Sequence, residues 1–303
     1  MYDIVIIGCG PAGMSAALYS FRKGLKILLI TDDIGGQVSL TSTVENYLGF
    51  SSIQGYDLSQ KFFSHIKNFD IELKQYVLVE KVEDFGNYKE IYTEDGNVYK
   101  TKTVIIATGA KHRELGVVGE KEFQSRGVSY CVTCDGPLYS GKDVIICGGG
   151  NSAVEAAIDI SKIARNVTLI HRSDFRADSI LLENLKKIEN IKIYLQTQVK
   201  EIFGDSVLKG IKIFNKNTCV EDIIYTDAVF VEIGLKVDTD WLYNLVDLNE
   251  KGEIIVDKEC RTSAAGIFAA GDVTNSEYKQ IIIATGDGAR AALSANEYIN
   301  KNR

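Results

Sequence analysis

One pattern of apolar and polar positions occurs twice along the chain, and each copy predicts a strand, a glycine-rich turn and a helix. The elements of the first copy are a strand from Tyr2 to Gly8, the turn GCGPAG at 8–13, a helix to about Lys23 and a strand from Lys26 to Ile30. The apolar residues of this helix fall on the one face that would pack on a sheet: Met14, Ala17, Leu18 and Phe21.

The second copy has the same order of elements. They are a strand from Asp143 to Cys147, the turn GGGNSA at 148–153, a helix to about Ala164 and a strand from Val167 to Ile170. Two dinucleotide-binding units are therefore predicted, and the fold class is α/β.

Alternating segments elsewhere predict antiparallel strands. They lie at 76–82, 90–93 and 98–100 between the two copies, and at 199–203, 208–214 and 222–225 after the second. A last helix is predicted from about Gln280 to Asn300. Since no linker separates the repeats, we expect the second unit to be inserted in the first.

Composition and charge narrow the class of protein. The 303 residues suffice for two domains of ordinary size, and the net charge of −7, with no basic stripe, argues against a nucleic-acid partner. No apolar stretch approaches the roughly 20 residues that span a bilayer. The N-terminus carries Asp3 and reaches glycine after a short apolar run, which is typical of a buried strand and not of a signal peptide. We expect a soluble, cytoplasmic protein.

Each glycine turn suggests a phosphate site. A glycine turn after a strand lets the backbone approach a pyrophosphate, and the following helix N-terminus offers free N–H groups and partial positive charge. One such motif alone is weak evidence, because it also occurs as a plain tight turn. Two copies, each between a strand and a helix, predict two bound dinucleotides.

The only closely spaced pair among the six cysteines is Cys131 and Cys134, which is followed by Asp135. Two thiols one helical turn apart can close a small, reducible disulfide, and the carboxyl group can donate or accept a proton. Half of a zinc site and a pair of inert buried thiols are the alternatives. Zinc needs two further ligands, and the three histidines, His65, His112 and His171, are scattered.

The segment HRSDFR, residues 171–176, follows the strand after the second turn. In such folds this position meets the adenosine ribose, where arginine accepts a 2′-phosphate. His171, Arg172 and Arg176 therefore favour NADPH, and a solvated loop is the alternative.

Together these motifs resemble the low-molecular-weight (bacterial-type) thioredoxin reductases, over essentially the whole chain. The matching stretches are 8–13, GGQ at 35–37, VENY at 44–47, ATG at 107–109, CVTCD at 131–135, GGGNSA at 148–153 and FAAGDV at 268–273. The resemblance implies an FAD-binding domain of residues 1–113 and 244–303, and an inserted NAD(P)H-binding domain of residues 114–243 that carries the cysteines.

The resemblance also implies which residues bind each cofactor. For FAD they are Gly8, Gly10, Pro11, Ala12, Gly13, Gly36, Gln37, Asn46, Thr108, Gly109, Gly271, Asp272, Lys279, Gln280 and Ile281. For NAD(P)H they are Gly148, Gly150, Asn151, Ser152, Ala153, His171, Arg172 and Arg176. Cys134 would be the thiol next to the flavin, Cys131 would attack the partner's disulfide, and Asp135 would be the general acid and base. A homodimer is implied as well.

The sequence departs from the family pattern in three places. Ser173 replaces a second arginine, so the NADPH preference is weakened and NADH is possible. Val237 stands where the family commonly has proline, and we have no functional account of that. The segments 278–286 and 134–138 are more similar to the flavoprotein subunit of alkyl hydroperoxide reductase. That relative carries an N-terminal thioredoxin-like extension, and since this chain begins at the first strand, we expect any such module to be a separate protein.

The sequence therefore predicts a flavoenzyme that moves electrons from NADPH, or NADH, through FAD and the Cys131–Cys134 disulfide to a thioredoxin or glutaredoxin-like protein. The alternatives are a thioredoxin reductase fed by ferredoxin, a reductase of a peroxiredoxin system, and a flavin-binding regulator without turnover.

Overall fold

The computed structural model describes residues 1–41, 43–242 and 244–302. The helices of this part are α1 (Pro11–Arg22), α2 (Gly55–Lys67), α3 (Val132–Asp135), α4 (Asn151–Ser161), α5 (Ser179–Leu185) and α6 (Ile281–Lys301). Its 3₁₀ turns are Gly36–Leu40, Gly136–Tyr139, Asp240–Leu242 and Gly271–Val273.

The strands fall in chain order before and after Cys131. Before it are β1 (Tyr2–Cys9), β2 (Ile27–Ile34), β3 (Thr43–Val44), β4 (Ile53–Gln54), β5 (Glu72–Gln75), β6 (Val79–Asp84), β7 (Lys89–Thr93), β8 (Val98–Ile106), β9 (Lys111–His112) and β10 (Val128–Ser129). After it are β11 (Asp143–Cys147), β12 (Asn166–Ile170), β13 (Ile191–Tyr194), β14 (Thr197–Gly204), β15 (Leu208–Asn215), β16 (Val220–Tyr225), β17 (Ala228–Val231), β18 (Leu235–Lys236) and β19 (Ile267–Ala269).

The chain divides into two compact units. The first is Met1–Lys111 with Lys236–Arg303, and the second, His112–Leu235, is inserted in it. Each unit contains one of the two glycine turns and its own parallel strands, so the predicted α/β class is confirmed.

The first unit is built on a seven-stranded sheet of order β5-β2-β1-β8-β7-β6, with β19 paired to β8. The strands β5, β2, β1, β8 and β19 run parallel, whereas β6, β7 and β8 pair in antiparallel fashion, as the alternating segments predict. The apolar centre of β1 is fully buried, as expected of a parallel strand covered on both faces. Helices α1 and α6 pack closely: a Cβ on Gly288 would lie 2.0 Å from the Ala12 carbonyl oxygen.

The second unit contains a parallel sheet of order β10-β17-β11-β12-β13 and an antiparallel sheet of β14, β15 and β16. The predicted strand Asp143–Cys147 is confirmed to the residue, and the predicted helix after it ends at Ser161. Parallel strands all end at one edge of a sheet, and in such sheets ligands bind outside that carboxyl edge, where the strand order reverses. In this sheet the reversal lies between β17 and β11.

None of the helices in the described residues is both long enough and apolar enough to cross a bilayer.

Candidate active site

In the first unit, the loops that follow β1, β2, β8 and β19 converge at the carboxyl edge of the sheet. A Cβ on Gly8 would lie 2.3 Å from the carbonyl oxygen of Ala107, one on Gly36 would lie 3.6 Å from the Cα of Gly10, and one on Gly271 would lie 2.9 Å from the Cβ of Ala12. The structure thus brings the predicted flavin-binding turns together around the first turn of α1.

Gly10 differs from the other glycines of its turn. Gly8 has φ +105° and Gly13 would place a Cβ 1.8 Å from the Gly8 carbonyl oxygen, so the fold itself requires both. Gly10 has φ −78° and ψ −174°, which any residue adopts, and a Cβ there would meet nothing within 4 Å. The fold therefore gives no reason for glycine at this position, and a pyrophosphate that approaches the backbone does.

Other predicted flavin residues lie around these loops. Asn46 Nδ2 donates to Gln280 Oε1 at 3.1 Å, which joins two of them, and Gln37 Nε2 donates to the carbonyl of Ala110. Pro11 and Ile281 begin α1 and α6. Thr108 and Gly109 follow β8 directly, where Thr108 is exposed.

Lys279 is held by protein groups. Its Nζ lies 3.0 Å from Glu253 Oε1 and donates to the carbonyl of Asp272 at 3.2 Å. Both carboxyl groups around it are affected: the pKa of Glu253 lies below its usual value, and burial raises the pKa of Asp272 to about 6. The Asp272 carboxyl group can accept a hydrogen bond that a sugar hydroxyl donates.

The second glycine turn also contains glycines that the fold requires and one, called an open glycine below, at which a Cβ would meet no atom. A Cβ on Gly148 would lie 2.2 Å from the Glu232 carbonyl oxygen, and one on Gly149 would lie 2.3 Å from the His171 ring. Gly150 has φ −94° and ψ −176°, and a Cβ there would meet nothing within 4 Å. Asn151 and Ser152, which begin α4, are exposed, and Ala153 is buried. Gly150 therefore fits a second pyrophosphate.

The segment 171–176 wraps around this turn. Arg176 N donates to the Gly149 carbonyl at 2.8 Å, and the side chains of Arg172 and Arg176 are exposed. His171 is 8% exposed, with its Nε2 3.1 Å from Ser173 Oγ. Burial lowers the pKa of His171, and the two arginines lower it further. The His171 ring is thus buried against Gly149 of the turn, and the guanidinium groups of Arg172 and Arg176 are accessible to solvent.

Cys131 and Cys134 form a disulfide, with Cα atoms 5.3 Å apart. Cys131 caps the short helix α3: its Sγ accepts from Cys134 N at 3.2 Å and its carbonyl from Asp135 N at 3.0 Å. Only Tyr130 separates Cys131 from the end of β10, so the disulfide lies at the carboxyl edge of the parallel sheet of the second unit.

Asp135 is connected to this disulfide through Ser129. Ser129 Oγ donates to Asp135 Oδ2 at 2.7 Å and accepts from Cys131 N at 3.2 Å. Asp135 Oδ1 is buried without a hydrogen-bond partner among the described residues. Burial raises the pKa of Asp135, although the Ser129 bond opposes the rise. Such a carboxyl group takes up a proton more readily than an exposed one, which suits a general acid and base.

Three further residues near the cysteines were not predicted: Glu120, Tyr130 and Glu232. Glu120, 1% exposed, accepts hydrogen bonds from the amides of Leu115 and Gly116 and from the hydroxyl of Tyr130. It thereby fixes the residue before Cys131. Glu232, the third, follows β17, and its Oε1 lies 3.4 Å from Val132 N. The sequence signal that could have identified Glu232 is a charged residue directly after an otherwise apolar strand.

The described part of the chain contains no group of three His, Cys, Asp or Glu side chains that could hold a metal ion.

Comparison with known proteins gives a consistent result. A sequence profile described as pyridine nucleotide-disulphide oxidoreductase matches residues 2–288. An alkyl hydroperoxide reductase subunit of Staphylococcus aureus (strain NCTC 8325 / PS 47) is 43% identical over 99% of this chain and 60% of its own length. An NADH dehydrogenase of Bacillus subtilis (strain 168) is 42% identical over 99% and 59%. This chain thus spans about three fifths of the curated relatives that it matches.

A solved structure matches over its full length. Thioredoxin reductase from Streptococcus pyogenes MGAS5005 is 41% identical, with a TM-score of 0.95 over 99% of each chain. The resemblance to thioredoxin reductases, with segments similar to the alkyl hydroperoxide reductase flavoprotein, is confirmed by these matches. FAD and NAD(P)H as cofactors are confirmed at the level of the family.

Proposed function

The chain belongs to the pyridine nucleotide-disulphide oxidoreductase family, and on this premise we propose that it reduces a protein disulfide with electrons from NAD(P)H. The acceptor we propose is a thioredoxin or a glutaredoxin-like protein. The match to a thioredoxin reductase over 99% of both chains supports this acceptor.

One observation carries the proposal: the Cys131–Cys134 disulfide lies at the same carboxyl edge as the open glycine Gly150. A reducible pair and a pyrophosphate site in one unit serve a transfer that begins at a nicotinamide nucleotide and ends at a thiol. An inert disulfide would not need the nucleotide site, and a plain nucleotide-binding protein would not need the cysteines.

The residues take the following roles in this proposal. Bound FAD supplies a two-electron carrier between the nucleotide and the disulfide. Two electrons and one proton convert the Cys131–Cys134 disulfide into a Cys131 thiolate and a Cys134 thiol, and a second proton is held on the Asp135 carboxyl group. Cys131 then attacks the partner's disulfide, and the partner sulfur that leaves takes the proton from Asp135. Cys134 gives its proton to the second partner sulfur as it closes the ring on Cys131, so that the partner leaves as a dithiol.

The cofactor assignment to the two units is part of the proposal. Residues 1–113 and 244–303 would bind FAD around Gly10 and Asp272, and residues 114–243 would bind the nicotinamide nucleotide at Gly150. The exposed Arg172 and Arg176 support NADPH as donor, with NADH possible because Ser173 offers no charge. Ferredoxin as an alternative electron donor, a cytoplasmic location and a homodimer stay predictions.

A second candidate is the reductase of a peroxiredoxin system. The 43% identity to a protein of the alkyl hydroperoxide reductase system favours it. Here the same cysteines would pass electrons to a thioredoxin-like module that serves a peroxidase.

Purified FAD-loaded protein tests both candidates. Oxidation of NADPH and of NADH is followed with thioredoxin as the acceptor, and then with a peroxiredoxin plus a thioredoxin-like module and peroxide. We expect turnover that depends on the acceptor and stops in Cys131→Ser. Nucleotide oxidation that proceeds equally without any acceptor protein, or with Cys131→Ser, would refute the proposed function.

A further inference from the structure

Glu232 links the nucleotide-binding turn to the disulfide. It directly follows β17, and its N–H donates to the Cys147 carbonyl at 2.8 Å, which fixes it beside β11. A Cβ on Gly148 would lie 2.2 Å from the carbonyl oxygen of Glu232. The backbone of Glu232 therefore packs against the second glycine turn.

The side chain of Glu232 reaches the other way, to the start of the disulfide turn. Its Oε1 lies 3.4 Å from Val132 N, a long hydrogen bond to the peptide that joins Cys131 to Val132. Asp135 contacts the same turn through Ser129, which accepts from the Cys131 amide. Two carboxyl groups thus contact the backbone of one disulfide turn, directly or through Ser129, and only one of them is part of the proposed reaction.

Glu232 has no cationic partner in the described ion pairs. Burial raises its pKa to about 7, and the Val132 hydrogen bond opposes the rise. The titratable groups around it include Asp135 on the disulfide turn and Glu120, which contacts Tyr130 after β10. They also include the Cys147 thiol on β11, whose pKa burial raises to about 12, and His171 after β12, whose pKa is lowered. The last two are neutral near pH 7, so they do not fix the charge of Glu232.

We propose that Glu232 is a positioning residue for the disulfide: its carboxyl group holds the amide at the start of the Cys131–Cys134 turn, and its ionisation restrains formation of the Cys131 thiolate. The proposal rests on the proposed function in taking this pair as the redox centre. A negative charge one peptide from Cys131 disfavours a second negative charge, and it occupies an amide that would otherwise stabilise the thiolate. Protonation of Glu232 removes the charge, while its carboxyl group can still accept from Val132 N.

Alkylation of Cys131 tests this without flavin reduction or turnover. In the whole 303-residue, FAD-loaded Cys134→Ser protein, Cys131 is the remaining thiol of the pair. Its rate of alkylation by iodoacetamide is measured against pH on the peptide that contains Cys131, because the exposed Cys219 also reacts. Adding Glu232→Gln keeps an acceptor oxygen and removes the charge. We expect alkylation well above pH 7, where Glu232 is ionised, to be about tenfold faster, one pKa unit for the loss of a nearby like charge. The difference should shrink as the pH falls through about 7, and the Glu232→Gln profile should follow a single ionisation.

Two further variants separate charge from structure. Glu221→Gln removes the same charge from an exposed position on β16 and should leave the profile unchanged. Glu232→Met removes both charge and acceptor, and it should also accelerate alkylation. A purely structural Glu232 predicts instead that Glu232→Gln matches Glu221→Gln and that only Glu232→Met differs.

A Glu232→Gln profile that coincides with the Glu221→Gln profile, in protein that melts normally, would overturn the proposal. Failure of the proposed function would show separately, as an absence of acceptor-dependent nucleotide oxidation with an unchanged alkylation result.

Discussion

Replacing Gly150 with alanine should weaken nucleotide binding while leaving the fold at least as stable. The backbone at Gly150 has φ −94° and ψ −176°, which alanine adopts freely, and its Cβ would meet no atom within 4 Å. Gly→Ala at such a position stabilises by about 0.4–1 kcal/mol through the unfolded chain. A protein of this size should then melt about 1–3 °C higher.

The effect on binding has the opposite sign. The Cβ would occupy the space through which a pyrophosphate approaches the first N–H groups of α4. Losing two hydrogen bonds to a charged group costs about 3 kcal/mol or more, since each contributes about 1.5–3 kcal/mol. That loss corresponds to a roughly 10²-fold higher Kd.

Calorimetric titration of FAD-loaded protein with NADP⁺ and NAD⁺ measures the binding, and thermal unfolding measures the stability. Gly286→Ala is the matched control, because Gly286 is exposed in α6 of the other unit and its Cβ also meets nothing within 4 Å. It should gain stability and keep its affinity. Unchanged affinity in Gly150→Ala would refute the pyrophosphate site, and a clear loss of stability would refute the reasoning about the open glycine.

Four other predictions concern the two cysteines, Asp135, Asp272 and Arg176. Cys131→Ser and Cys134→Ser should each lower disulfide turnover by about 10³-fold or more, while NAD(P)H still bleaches the flavin. Only Cys131→Ser should change the flavin spectrum. Disulfide turnover by either variant at the unmutated rate would contradict the roles of the two cysteines. Asp135→Asn should lower turnover by roughly 10²–10⁴-fold and flatten its pH dependence, which steady-state rates against pH would show. Retention of FAD should fall as the pH drops through about 6, where the Asp272 carboxylate takes up a proton and loses its charge, and Asp272→Asn should remove this dependence; ultrafiltration at each pH measures it. Arg176→Ala should raise KM for NADPH about tenfold and leave that for NADH unchanged, whereas equal effects would exclude a 2′-phosphate contact.

The two strand–turn–helix units were predictable because their signals are local. An apolar strand, a glycine turn and an amphipathic helix are each written in consecutive residues, and the structure confirms both units within a few residues. The antiparallel strands were predictable for the same reason, from their alternation. The spacing of Cys131 and Cys134 predicted a disulfide, with half of a zinc site and inert thiols as the alternatives, and the structure has the disulfide.

The surroundings of the disulfide were not predictable, because they come from chain segments far apart in sequence. Glu232 meets Val132 only because β17 pairs with β10, and no local pattern states that pairing. The role of His171 likewise depends on the orientation of its ring. In the structure the ring is buried against Gly149 and does not face solvent. Lys279 is similar, since its contact with Glu253 depends on tertiary packing.

The most direct test of electron flow from nucleotide to disulfide is an anaerobic titration of the FAD-loaded protein with NADPH and, separately, NADH. Complete bleaching of the flavin band should need about two equivalents of nucleotide per flavin, one for FAD and one for the disulfide, and about one in the Cys131→Ser/Cys134→Ser variant. Either of two results would contradict the proposed function. One is about one equivalent in both proteins, and the other is no bleaching by either nucleotide in protein that dithionite still reduces.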